Sequence, residues 1–192
     1  MNRKNFLALF AIIVSMLFSA QMASAQLVTN GGFETGDLTG WNFTAAIGGS
    51  DFYIGSPAHS GNYGAAFGAV SSYDDTITQT TISTTPGMQY TFDFWLAHSS
   101  SDSANDFHAY WNGTSVLDLV NSNSFDWTEY TYSVTATGST TSIAFAGREN
   151  PSWYYLDDVS VNSSTSVPEP TTMLLLGLGL VGLAGVRRKF KK

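Results

Sequence analysis

Between residues 26 and 167, apolar side chains recur at every second position in short runs, with no sustained three-to-four spacing of a helix face. YTFDFWLA places Tyr90, Phe92, Phe94 and Leu96 on one side of an extended chain, and TEYTYSVTA does the same for Tyr130, Tyr132, Val134 and Ala136. TSIAFAG alternates Ile143 and Phe145 with alanines, and WYYLDDVSV groups Trp153, Tyr155, Val159 and Val161. Turn formers separate these runs: TPG at Thr85–Gly87, WNGT at Trp111–Thr114, ATGST at Ala136–Thr140 and GRENPS at Gly147–Ser152. About nine or ten strands at such spacing predict an all-β domain, a two-sheet antiparallel sandwich.

The two ends have a different pattern. Arg3 and Lys4 precede an apolar run from Phe6 to Phe18, and ASA at Ala23–Ala25 fits a small-x-small cleavage site, so residues 1–25 read as a signal peptide. The sandwich domain then covers 26–163. The Ser/Thr-rich stretch NSSTSVPEP leads out of the domain, its residues 164–170 forming a linker that contains Pro-Glu-Pro, and residues 171–192 hold an apolar segment and a basic tail. The apolar run Met173–Val186, with its two preceding threonines, spans roughly 21–24 Å as a helix, short against a hydrocarbon core of about 30 Å. Four glycines at 177, 179, 182 and 185 weaken it, and RRKFKK holds the far end on the cytoplasmic side. The expectation is a transient transmembrane helix rather than a permanent anchor.

Charge sharpens this division. The whole chain carries −7, yet Arg148 alone stands against fourteen Asp and Glu over residues 26–167, a formal charge of −13. So acidic a surface repels phosphate backbones and excludes nucleic acid as a partner, while it suits cations and neutral sugars. With no cysteine, an exported domain of this size holds together without disulfides.

Val167, Pro168, Glu169 and Pro170, followed by the apolar run and the basic end, resemble the PEP-CTERM sorting signal of Gram-negative bacteria. The resemblance implies that a membrane enzyme, the exosortase, recognises Pro168, Glu169 and Pro170 and processes the chain. The product then goes to the cell envelope, the outer surface or the exopolysaccharide matrix. LVTNGGFETGDLTGW at Leu27–Trp41, with YYLDDVSV near the end, is similar to the opening and closing strands of galactose-binding-like jelly rolls, including several carbohydrate-binding modules. In those modules the two segments share a structural calcium, which implies Glu34 and Asp157 as ligands here, with Asp158 as the alternative to Asp157. Alternation supports Asp157, since it falls on the same side as Tyr155, Val159 and Val161, where an unpaired carboxylate is costly. A bulge would instead turn Asp157 to water, and Arg148 is the one basic side chain available to pair with it.

Trp95, His108, Tyr110 and Trp127 fall opposite core-facing neighbours. If their strands adjoin, they form an aromatic plate for stacking on sugar rings, with Asp93 or Asp106 accepting hydroxyl bonds. The alternative is that they are packing residues beneath loops. HSSSDSANDFH, between His98 and His108, reads as a solvated loop. His59, His98 and His108 lack the short spacing of a zinc site, and no G-x-S-x-G, H-E-x-x-H or Walker loop occurs. The function expected is therefore that of an exported, non-catalytic structural or adhesive protein with affinity for polysaccharide. One alternative is a carbohydrate-active enzyme with a carboxylate pair, and another is a surface-array or biofilm component without sugar affinity.

Overall fold

A computed structural model describes residues 26–100 and 104–164. Ten strands follow in order: β1 (Asn42–Thr44), β2 (Phe52–Gly55), β3 (Gly64–Phe67), β4 (Asp75–Ser83), β5 (Gln89–His98), β6 (Asp106–Trp111), β7 (Thr114–Val120), β8 (Phe125–Thr135), β9 (Thr140–Arg148) and β10 (Tyr154–Ser163). They form two five-stranded sheets, a front sheet β1-β4-β9-β6-β7 and a back sheet β2-β3-β10-β5-β8. Every pairing is antiparallel, and the described residues contain no helix.

The core lies between the sheets and is built by the alternation. Phe92, Phe94 and Leu96 of β5 meet Phe107 of β6 and Ile143 and Phe145 of β9, all of them buried, with Tyr130 and Tyr132 of β8 packed against that cluster. Phe94 sits edge-on to Phe145 with ring centroids 5.0 Å apart and lies 5.6 Å from the stacked ring of Tyr130. Aromatic pairs in such geometries add about 1 kcal/mol each to the burial of their area.

The segment before β1 runs along β10. Leu27 N–H donates to Val161 O, and Val159 N–H donates to Gly31 O at 2.9 Å. Gly31 is required there, because a Cβ at that position would lie 2.0 Å from the carbonyl oxygen of Val159.

In β10 the register shifts between Asp157 and Ser160, and Asp158 adopts a positive φ of 49°. Tyr154, Leu156, Val159 and Val161 therefore face the core, while Tyr155 and Asp157 face outward beside Trp95. The grouping of Trp153, Tyr155, Val159 and Val161 on one side is corrected by that bulge. Asp157 does not turn to water either: it is fully buried, beneath a loop.

The reading of His98 as part of a solvated loop is also corrected. His98 is buried, its Nε2 lies 2.5 Å from Glu149 Oε2, and its ring stacks on Tyr154 at 4.0 Å. The expected membrane segment at 171–192 and the Pro168–Pro170 motif lie outside the described residues. Among the described residues no helix is long and apolar enough to cross a membrane.

Candidate functional site

The outward face of the back sheet is closed by the loop between β2 and β3. His59 stacks flat on Trp95 with ring centroids 3.7 Å apart and meets Trp127 edge-on at 5.6 Å. Three carboxylates tie the loop down. Asp157 Oδ2 accepts the backbone N–H groups of His59 and Ser60 at 2.8 and 3.0 Å, and Asp158 takes the Ser60 hydroxyl and His59 Nδ1, each at 2.7 Å. Glu34 Oε1 accepts the N–H groups of Asn62 and Tyr63 at 2.8 and 2.9 Å, and these bonds hold its carboxyl below the usual range. Gly61 makes the approach possible, since it has a positive φ and a Cβ there would lie 2.4 Å from the Glu34 carboxyl carbon. Burial pushes Asp157 up to about 6, against the lowering effect of its backbone donors. Beyond the loop an open groove of about 510 Å³ runs past Ala97, Ser124, Phe125, Asp126, Trp127 and Tyr155.

The outward face of the front sheet is built in cross-strand rows. Thr44, Thr76, Ala146, His108 and Asp118 form one row, and Asn42, Thr78, Ala144 and Tyr110 form the next. The floor is therefore made of short Thr and Ala side chains, with an imidazole and a phenol standing along one side. At the end of the rows Arg148 grips Asp106, with Nε and Nη2 at 2.7 and 2.6 Å from Oδ2, and its Nε lies 3.6 Å from Asp74 Oδ1. Burial, and then the neighbouring carboxyl group of Asp106, push Asp74 up to about 6. His108 Nδ1 lies 2.5 Å from Asp118 Oδ1. A carboxylate only accepts, so the imidazole donates from Nδ1, and Nε2 is the ring nitrogen turned towards Asp74 and Asp106. Tyr110 is raised above the ordinary phenol range by burial and then by the charges of Asp74, Asp118 and Asp106.

The four residues expected to share one aromatic plate are thus split between two faces. Trp95 and Trp127 lie on the back sheet, while His108 and Tyr110 lie on the front, because β6 joins β9 and β7 rather than β5 or β8. Glu34, Asp157 and Asp158 do converge, around one loop, with their oxygens occupied by its donors. Arg148 pairs with Asp106 and not with Asp157. His59 and Asp74 lie in loops and carry no periodic signal in the sequence, while alternation grouped Tyr155 with Val159 and Val161, from which the bulge separates it. Arg148 was traceable by alternation from Ala144 and Ala146.

Residues 166–189 match the PEP-CTERM protein-sorting motif, which marks an exported protein. No curated protein matches the chain. Among solved structures, the enzymatically active domain of tailspike protein 4 from bacteriophage CBA120 superposes with a TM-score of 0.57 at 13% identity. That match covers 72% of this chain but only 21% of the tailspike. The module TmCBM61, solved with β-1,4-galactotriose, gives 0.54 at 14% identity over 73% of this chain and 100% of the module. The xylan-binding CBM22-1 domain of Paenibacillus barcinonensis Xyn10C gives 0.52 at 13% identity over 77% and 100%. At these identities the likeness establishes the sandwich fold alone. The family model described as a carbohydrate binding domain matches residues 25–147, more than half of the 192-residue chain, and the protein belongs to that family.

Proposed function

We propose that this exported protein holds a neutral polysaccharide across the outward face of its front sheet, as a non-catalytic surface or matrix component. The observation that carries this reading is the outward face itself, a floor of Thr76, Thr78, Ala144 and Ala146 with Tyr110 and His108 along one side. Short floor residues let a sugar ring lie close to the sheet, a phenol ring offers it a stacking surface, and the charged groups offer hydroxyl partners. A domain of charge −13 disfavours anionic glycans. An exosortase acting at Pro168, Glu169 and Pro170 would deliver the product to the envelope or matrix of a Gram-negative cell.

The Asp74–Asp106 pair does not favour catalysis, since the two carboxyl groups lie against one another, closer than the separation of about 5 Å or more that glycosidase pairs use. A second reading places the glycan in the back groove beside Trp127 and Tyr155, favoured by the aromatic lining there. Retention of the full chain and its variants on a panel of immobilised neutral polysaccharides tests both. Loss of retention in Tyr110→Ala with no sugar released supports the front face, loss in Trp127→Ala supports the groove, and released sugar revives the enzyme.

Calcium at Glu34, Asp157 and Asp158 would have to compete for carboxylate oxygens that already accept the N–H groups, the hydroxyl and the imidazole of the loop, which makes its binding there weak.

A further inference from the structure

We infer that Asp74, Asp106 and His108 form a binding site for a divalent transition cation on the front face. This deepens the reading of that face as glycan-binding, while the ion site itself rests on its own geometry. One donor atom from each residue lies within 4.8 Å of the other two. His108 Nε2 is 4.0 Å from Asp74 Oδ2 and 3.9 Å from Asp106 Oδ1. With metal–ligand bonds of about 2.0–2.2 Å, neighbouring donors lie roughly 3–3.5 Å apart, so the two distances from His108 need to shorten by about 0.5–1 Å.

Three further observations separate this cluster from an ordinary patch of acidic side chains. Asp106 is only 7% exposed, and its Oδ1 is a buried atom without a hydrogen-bond partner among the described residues. An acceptor left so is costly, and a cation would satisfy it. Arg148 occupies the other oxygen, Oδ2, so it orients Asp106 without blocking Oδ1. Asp118 holds His108 by Nδ1, the carboxylate–histidine pairing that orients an imidazole ligand and raises its basicity. The three carboxylates of Asp74, Asp106 and Asp118, against one guanidinium, leave two negative charges for a dication to neutralise. A donor set of one imidazole and two carboxylates suits zinc, cobalt or manganese better than calcium. Three protein donors leave coordination positions open for water or for sugar hydroxyls.

The test is a titration of the demetallated full chain with Co²⁺, read by its visible absorption, followed by displacement with Zn²⁺. One equivalent bound at micromolar concentration is expected, with at least a tenfold loss in His108→Gln and in Asp74→Asn. Binding only at millimolar concentration would overturn the site, as would binding that His108→Gln leaves intact, since the ion would then lie elsewhere. Polysaccharide retention is measured in parallel with and without Zn²⁺. Metal uptake with no glycan retained supports the ion site and removes the glycan reading, while glycan retention with no metal uptake overturns the ion site alone.

Discussion

The two outward faces of the sandwich handle the same acidic composition in opposite ways. On the back sheet, Glu34, Asp157 and Asp158 are consumed by a loop whose backbone donors they hold, and the indole of Trp95 is capped by His59. On the front sheet, Asp74, Asp106 and Asp118 surround His108 and Arg148 over a floor of small residues, and one buried carboxylate oxygen stays unpartnered. One face uses its charges internally to fix a loop, and the other retains unspent polar capacity beside an aromatic ring. An aromatic residue in an alternating strand therefore does not by itself mark a binding surface, because what covers it is decided by loops from elsewhere in the chain.

The sharpest way to break this comparison is Asp157→Ala. It leaves three buried or half-buried backbone donors unmet and should lower unfolding free energy by about 3 kcal/mol in urea denaturation, against less than about 1 kcal/mol for Tyr110→Ala. Equal losses would show that both faces are structural. Acidity offers a second handle. Asp157 and Asp74 are both raised from an ordinary 3.8 to about 6 in the folded chain, which then holds protons that the unfolded chain releases. The stability contributed by these two groups should be fully present below about pH 4 and fall by about 2 kcal/mol as pH rises towards 6, the larger share from buried Asp157. Urea midpoints from pH 4 to 7 follow this fall, and Asp157→Asn should flatten most of it. A rise in stability over that window would mean that loop donors outweigh burial.

Recognition sharpens the contrast further. Tyr110→Ala should weaken polysaccharide retention about tenfold while Trp127→Ala changes it less than twofold, and the reverse ranking would move the site to the back groove. The smallest effect expected is that of Ca²⁺ added to the demetallated chain. With the loop donors already in place, the thermal midpoint should stay within about 1 °C, whereas a rise of several degrees would install calcium at Glu34, Asp157 and Asp158.

The fold was legible because alternation is a local signal. Phe92, Phe94 and Leu96, or Ile143 and Phe145, announce a buried face without reference to any partner strand. The site was only half legible. Alternation identified Trp95, Trp127, His108 and Tyr110 as outward-facing, but the assignment of β5 and β8 to one sheet and β6 to the other depends on pairings between distant segments. The bulge after Asp157 shifts the face by one residue within two positions, and no period-two count survives it. Tyr155 is misplaced by the same shift. Asp74 and Asp118 reach His108 from a loop and from an edge strand, at distances along the chain where sequence patterns carry no information.

The position of β10 has a consequence for assembly. It is the last described strand yet lies in the interior of its sheet, bonded to β3 on one side and β5 on the other, with Leu27 and Gly31 laid along it. The pairs β2-β3 and β5-β8 are therefore joined into one sheet only by the C-terminal end of the domain, and closure of the back sheet depends on contacts between distant parts of the chain.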